Sequence, residues 1–142
     1  MKPKVYLETS IPSYLTARPS RDLIKAANQQ ITNEWWQIRN KFDLYISQFV
    51  IQEASNGDKL AAKRRLEIIK DFSVLDVSIE AQNLAKELID KHSIPKKAVV
   101  YAMHISISVV NGIDYLLTWN CTHIANATLR NKIVRVCRNF GY

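Results

Sequence analysis

Glycine, proline and cysteine are all scarce in this chain. Its 142 residues include three glycines, four prolines and two cysteines. So few glycines and prolines leave no segment with the composition of a flexible linker, and the length suits one domain over residues 1–142. The two cysteines, Cys121 and Cys137, are too few for a disulfide scaffold and are typical of a reducing compartment.

Long apolar runs are also missing. The first apolar run follows Lys2 and Lys4 and is far shorter than a signal-peptide core or a membrane span. We therefore expect a cytoplasmic protein without a membrane partner. The sequence also lacks a nucleophile elbow, a phosphate-binding glycine loop and a dinucleotide fingerprint, which argues against hydrolase triads, nucleotide hydrolases and dehydrogenases.

Acidic residues are fewer than basic ones. The chain has 20 Lys and Arg against 13 Asp and Glu, which gives a formal net charge of +7. An excess of this size favours a polyanion or an acidic protein as the partner, although it also occurs in proteins in which it serves solubility alone.

The stretch around which the chain is organised is Lys4–Ser10, an apolar run that ends at Glu8 and two hydroxyl residues. Val5, Tyr6 and Leu7 favour a central strand covered on both faces. Glu8 then lies at the carboxyl end of that strand, where ligands collect in open parallel sheets. The alternative is a solvated carboxylate beside an ordinary helix cap formed by Thr9 and Ser10.

Strand-like and helix-like segments alternate along the rest of the chain. Crossovers of helical length require parallel strands, so the pattern predicts a three-layer α/β/α fold with a central parallel sheet. The further strands are predicted at 42–46, 74–77 and 113–118. The predicted helices cover 22–39, a short segment capped by Ser47 that contains Glu53, 60–70, a segment capped by Ser78, 96–110 opened by Pro95, and a basic segment capped by Thr128.

Three polar residues occupy comparable places, one after each of three predicted strands: Glu8, Glu53 and Asn120. A parallel sheet brings these strand ends to one edge, so the three side chains can converge in one cleft. Neighbouring carboxylates repel one another and need protons or cations between them. Hard oxygen ligands on an open edge suit Mg²⁺ or Mn²⁺, as in metal-dependent phosphodiester hydrolysis.

Four segments together resemble the successive motifs of PIN domains, with the nearest likeness to VapC-like bacterial proteins. They are residues 5–10 (VYLETS), 47–55 (SQFVIQEAS), 102–108 (AMHISIS) and 115–126 (YLLTWNCTHIAN). The resemblance covers nearly the whole chain in the right order. It implies a flavodoxin-like parallel sheet and Mg²⁺- or Mn²⁺-dependent ribonuclease ancestry, often as the toxin of a toxin–antitoxin pair.

Four acidic positions are carried over by this resemblance. Glu8 and Glu53 match the first two and are the expected metal ligands, while Asn120 stands at the fourth and completes the expected catalytic set. The third normally opens an Asp-Ala-x-His motif, and here it is Tyr101. A phenol stays protonated at neutral pH and is a poor ligand for a hard divalent ion, so we expect weak metal binding.

Hydroxyl residues adjoin the two acids. Thr9, Ser10 and Thr118 match the family's hydroxyl positions, where they orient a carboxylate or a metal-bound water; helix capping is the alternative for them. His104 lies three residues after Tyr101 on the same helical face, and a histidine there is more often a structural donor than a general base. His123 and Cys121 have no second ligand pair at zinc spacing.

Two functions from different classes follow. The first is a metal-dependent endoribonuclease, a toxin whose activity is reduced by Tyr101. The second is an inactive PIN-fold module that binds RNA or a protein. In either case we expect RNA, an antitoxin protein and a second copy of the chain as partners, with RNA phosphates contacted by the basic residues Arg18, Arg21, Arg130 and Arg135.

Overall fold

A parallel four-stranded sheet forms the centre of the protein. The structure is a computed structural model and describes residues 1–91, 94, 98–120 and 127–142. The strands are β1 (Lys4–Leu7), β2 (Asp43–Ser47), β3 (Ser73–Leu75) and β4 (Tyr115–Leu117), and their order in the sheet is β3-β2-β1-β4. All three pairings are parallel, with Tyr6 of β1 opposite Tyr45 of β2 and Leu116 of β4.

Seven helices in the described ranges surround this sheet. They are α1 (Ser10–Thr16), α2 (Leu23–Gln37), α3 (Gln48–Ala54), α4 (Lys59–Ile69), α5 (Ile79–Asp90), α6 (Val99–Val110) and α7 (Ala127–Asn139). Helix α1 packs on α2 and α4, while α5 packs on α6 and α7. The expected three-layer α/β/α fold with a central parallel sheet is therefore confirmed. None of the helices in the described ranges is long and apolar enough to cross a bilayer.

Side-chain caps mark where several helices begin. Asp22, Ser47, Asp58 and Ser78 each accept a hydrogen bond from the backbone N–H three residues later, at the starts of α2, α3, α4 and α5. Such a bond satisfies one of the four amides that the first helical turn leaves without a partner. The caps predicted at Ser47 and Ser78 are confirmed.

Several predicted boundaries differ from the structure. Strands β3 and β4 are shorter than predicted; β4, for example, pairs only with the three buried residues Val5–Leu7 of β1. A short 3-10 turn at Arg39–Lys41 was not predicted. Helix α7 already includes Thr128, so this residue is not its cap. Pro95 and Lys96, the predicted start of α6, lie outside the described residues.

Strand β1 lies between β2 and β4, and this arrangement creates the site. After β1, the chain forms β2 and then β3 on one side of it, and it forms β4 on the other side only afterwards. The order in which strands are added therefore reverses between β1 and β4. Ligands bind at such a switch point in open parallel sheets because the loops diverge there. Val5, Tyr6 and Leu7 are each at most 3% exposed, so β1 is the covered central strand that its apolar run predicted.

Candidate active site

Two carboxylates face each other at the carboxyl edge of the sheet. Glu8 follows β1 directly, and its backbone N–H donates to the Leu117 carbonyl of β4 at 3.1 Å. Glu53 lies on α3, which begins at the end of β2. Ligand atoms of Glu8, Glu53 and His104 all lie within 4.8 Å of one another. The strand ends thus bring together two acids that are 45 positions apart in the sequence.

Glu8 is held by hydrogen bonds from both sides of the cleft. Its Oε1 accepts the hydroxyls of Ser10 at 2.5 Å and Thr118 at 2.6 Å, and its Oε2 accepts the Ser10 backbone N–H at 3.1 Å. The side chain is buried, with 5% of the residue exposed. Ser10 follows β1 and Thr118 follows β4, so residues after both of these neighbouring strands hold this carboxylate in place.

Glu53 is held by one hydroxyl and one imidazole. Its Oε1 accepts the Thr9 hydroxyl at 2.7 Å and lies 2.8 Å from His104 Nε2. Burial raises the pKa of Glu53, but the bonds from His104 and Thr9 outweigh it and hold the pKa below its usual value. Glu53 is therefore a carboxylate at neutral pH.

The hydroxyls of Thr9 and Ser10 contact carboxylates. Thr9 stands at the N-cap position of α1, yet its side chain makes no capping hydrogen bond and donates to Glu53 instead. Ser10 donates to Glu8 and accepts the Trp119 backbone N–H at 2.9 Å. Two roles were considered for these hydroxyls, helix capping and contact with a carboxylate, and in the structure both hydroxyls contact a carboxylate.

Behind Glu53 lies a chain of buried hydrogen bonds. His104 is fully buried on α6, and its Nδ1 lies 2.5 Å from the Tyr6 hydroxyl. That hydroxyl is 2.7 Å from Ser47 Oγ, which accepts the Val50 backbone N–H at 3.3 Å. Burial raises the pKa of the Tyr6 phenol, so the phenol keeps its proton.

Both ring nitrogens of His104 have partners. Nε2 contacts the Glu53 carboxylate, and Nδ1 contacts the Tyr6 hydroxyl, which in turn contacts Ser47. Because a carboxylate can only accept, Nε2 donates to Glu53. His104 therefore positions Glu53, and its ring also lies among the groups whose ligand atoms are close enough to hold one metal ion.

The pair of acids has little positive charge beside it. Neither Glu8 nor Glu53 forms an ion pair with a lysine or arginine of the described ranges, and Glu53 has the His104 imidazole as its partner. Two close carboxylates with no lysine or arginine beside them are stable when a cation lies between them. Their oxygens are hard ligands, so the residues present fit a divalent ion of the Mg²⁺ or Mn²⁺ type.

The other predicted site residues lie on nearby elements. Asn120 is half-buried two residues after Thr118, whose hydroxyl oxygen accepts the Asn120 backbone N–H at 2.8 Å. Tyr101 is half-buried in the first turn of α6, one turn before His104 on the same helical face, and packs against the core. The assignments of Glu8, Glu53 and Asn120 to catalysis and of Glu8 and Glu53 to metal binding stay predictions.

The four predicted RNA-contacting arginines fall into two groups. Arg18 and Arg21 lie between α1 and α2, while Arg130 and Arg135 are exposed on α7. Arg135 lines a cavity of about 450 Å³ between α5 and α7, together with Lys91 and Lys132. Cys121 and His123, the pair considered for zinc, lie outside the described residues.

Tyr6 was not predicted as part of the site, and His104 was interpreted there only as a structural donor with no partner named. Two signals point to them in hindsight: a tyrosine inside a fully apolar strand, and a single histidine among Ala102, Met103 and Ile105 on a buried helix. A polar group in such surroundings needs a hydrogen-bond partner. Finding which partner requires the tertiary structure, because Tyr6 and His104 are 98 positions apart.

Comparison with known proteins supports the fold. No family model matches the chain, and no curated protein does. Among solved structures, the toxin VapC20 of Mycobacterium tuberculosis, described as cleaving the sarcin–ricin loop, superimposes with a TM-score of 0.66 and 17% sequence identity. The match covers 87% of this chain and 95% of that one. The resemblance to VapC-like PIN domains is therefore confirmed at the level of the fold.

The lowered pKa of Glu53 predicts how stability depends on pH. An acid whose pKa is lower in the folded state contributes stability above its unfolded pKa, here 4.5, and loses it as the pH falls through the folded pKa. Glu53→Gln keeps an oxygen for Thr9 and His104 but cannot titrate. We expect the urea midpoint of the variant to fall less than that of the unchanged protein when the pH is lowered below 4.5.

The matched control is Glu67→Gln. The Glu67 carboxylate pairs with exposed Lys70 on the surface. In concentrated salt, the difference in acid sensitivity between Glu67→Gln and the unchanged protein should therefore vanish, while the difference between Glu53→Gln and the unchanged protein should persist. Identical acid profiles for Glu53→Gln and the unchanged protein would contradict the assigned protonation of this network.

Proposed function

We propose that this protein is a ribonuclease that uses Mg²⁺ or Mn²⁺ and acts as the toxin of a bacterial toxin–antitoxin pair. The observation that carries the proposal is that Glu8 and Glu53 lie close together at the sheet's switch point, with hydroxyls and the His104 imidazole as their partners. The fold shared with a toxin described as cleaving the sarcin–ricin loop supports RNA as the substrate. The excess of basic residues supports a polyanion.

Glu8 and Glu53 are the residues that would hold the ion. When bound, such an ion neutralises charge on the phosphodiester and polarises it for attack by water. The chain itself supplies orientation: Ser10 and Thr118 fix Glu8, and Thr9 and His104 fix Glu53. Asn120 is proposed as a polar contact to the substrate.

We place the protein in the bacterial cytoplasm as a homodimer whose partners are RNA and an antitoxin protein. RNA is abundant in the cytoplasm, and a chain with two cysteines is typical of a reducing compartment. An antitoxin that blocks this cleft must compensate the same two carboxylates, so we expect it to present a cationic side chain to Glu8 and Glu53.

The direct test measures metal binding and cleavage with one protein preparation. Titration calorimetry with Mg²⁺ and Mn²⁺ is combined with a cleavage assay on an RNA containing the sarcin–ricin loop. We expect both signals in the unchanged protein. Glu8→Gln should lower metal affinity at least about tenfold and abolish cleavage, because it removes one of two charges from the site.

Thr16→Val is the matched control. The Thr16 hydroxyl donates only to the Pro12 carbonyl at 2.8 Å at the end of α1, away from the carboxylates. It should therefore leave metal affinity and cleavage unchanged. Cleavage that persists in Glu8→Gln, or that needs no divalent ion, would refute the proposed site.

A second candidate function is an inactive PIN-fold module that binds RNA or protein. The observation that favours it is Tyr101, which stands where the resemblance to PIN domains implies the third acid and lies one helical turn before His104. Without that acid the site has a formal charge of −2 from Glu8 and Glu53, which predicts weak binding of a divalent ion before substrate arrives.

Tyr101→Asp decides between these two functions. It returns a carboxylate to the third acidic position, so we expect tighter Mg²⁺ or Mn²⁺ binding and faster cleavage, while Tyr101→Phe should change little. Glu8→Gln in the Tyr101→Asp background should abolish the gain. A folded Tyr101→Asp protein that gains neither metal affinity nor cleavage would favour the inactive module.

RNA affinity should depend steeply on salt. Lysine and arginine side chains that bind phosphate release counterions, so the logarithm of the binding constant falls linearly with the logarithm of salt concentration. Removing Arg18 and Arg21, or Arg130 and Arg135, should reduce this slope by roughly one for each phosphate that the protein then leaves unbound. Filter binding over a salt series measures it, and a flat profile would indicate stacking or a protein partner.

A further inference from the structure

A small apolar cavity lies beside the two carboxylates. Its volume is about 200 Å³, and its lining includes Ile31 and Trp35 of α2 and Thr118 and Trp119 after β4. Thr118 belongs to both places, because its methyl-bearing side chain lines the cavity while its hydroxyl donates to Glu8 at 2.6 Å. The cavity and the acidic site therefore share a wall.

The cavity walls suit a flat, weakly polar ligand. The lining is almost entirely apolar and includes two indole rings. The polar groups at Trp119 and Thr32 are already paired, since Trp119 Nε1 donates to the Thr32 hydroxyl, which donates in turn to the Asn28 carbonyl. For comparison, an apolar cavity of about 150 Å³ accommodates a benzene ring.

We propose that this cavity binds one nucleobase of the RNA, next to the phosphate that an ion at Glu8 and Glu53 would hold. The inference rests on the proposed function and adds to it a base-binding subsite. Single-stranded RNA is recognised through bases that leave the stack and lie against aromatic side chains. A phosphate held through that ion would bring the base of a flanking nucleotide to the wall formed by Thr118 and Trp119.

An apolar side chain of a protein partner is the competing occupant. Helix α2 does expose Leu23, Ile24 and Ile31. Two observations favour a base: the cavity adjoins a site suited to a metal-bound phosphate, and the protein carries a net charge of +7. A polyanion is attracted by that charge, and an RNA carries both the phosphate and the base that the two neighbouring places would bind.

The test compares two oligomers of equal charge. One is a mixed-sequence single-stranded RNA of eight nucleotides, and the other is an abasic ribose-phosphate oligomer of the same length. Binding is measured by fluorescence anisotropy with Glu8→Gln protein in Mg²⁺, so that the RNA stays intact. We expect this protein to bind the RNA roughly tenfold or more tightly than the abasic oligomer, because a base stacked on an aromatic side chain has about that effect.

Ile31→Trp is the decisive variant. Ile31 is 52% exposed at the rim of the cavity, so a larger side chain there fills the cavity from outside without disturbing the core. We expect its RNA affinity to fall to near that of the abasic oligomer. Ile24→Trp, two helical turns earlier on the same face and outside the cavity lining, should keep the full preference for RNA.

Ile31→Met provides a second filling variant, whose longer side chain has no aromatic ring on which a base could stack, and its unfolding midpoint confirms that it is folded. Equal binding of both oligomers by the Glu8→Gln protein would overturn the proposal. An undiminished preference for RNA in both filling variants would overturn it as well and would leave a protein side chain as the occupant of the cavity.

Cleavage assays run in parallel separate this inference from the proposed function. RNA cleavage by the unchanged protein, with equal kcat/KM in Ile31→Trp, would leave the ribonuclease standing and remove the base-binding subsite. Absence of cleavage with any divalent ion, together with a selective loss of RNA binding in Ile31→Trp, would remove the ribonuclease and support the subsite.

Discussion

The repulsion between two close carboxylates is the constraint on which the rest of this structure depends. At the separation of Glu8 and Glu53, two full charges repel by on the order of 3 kcal/mol at an effective dielectric constant of about 20. A fold that retains such a pair must supply compensation locally. Here the compensation comes from hydroxyl and amide donors of the neighbouring loops, and it leaves the pair with the net negative charge that attracts a cation.

Hydrogen bonds from deeper in the protein also fix the position of the Glu53 carboxylate. The Val50 amide, Ser47, Tyr6 and His104 form a continuous chain of hydrogen bonds that ends at the Glu53 carboxylate. Hydrogen bonds to an ionised acceptor are stronger than those between neutral groups, and burial strengthens them further. This chain begins and ends on α3, which ties the position of Glu53 to β1 and α6 at the same time.

Much of this could be predicted from the sequence, because it depends on short-range patterns. The apolar run that ends at Glu8 predicted a covered central strand, and Ser47 and Ser78 predicted helix starts. Parallel pairing then required Glu8 and Glu53 to approach one another. The likeness of successive motifs to PIN domains added the expected order of these parts, and the fold agrees with it.

What could not be predicted depends on contacts between distant segments. Thr9 and Ser10 have the residue types of helix caps. Their partners come from distant segments: Thr9 donates to Glu53 of α3, and Ser10 accepts the Trp119 amide after β4. The same holds for the cavity. Ile31 occupies an exposed position of an amphipathic helix, and it becomes the rim of a cavity only where α2 crosses the loop after β4.

Trp119 connects the carboxylate site to the apolar cavity through two hydrogen bonds. Its backbone N–H donates to Ser10, which holds Glu8, while its indole donates to Thr32 on the wall of the cavity. A ligand that moves the indole therefore also moves a donor that orients the carboxylate. Thermodynamic linkage makes such coupling reciprocal: if a ligand in the cavity changes the affinity of the acids for an ion, the ion changes the affinity of the cavity by the same factor. Occupation of the cavity and binding of an ion at the acidic centre would then be one cooperative event.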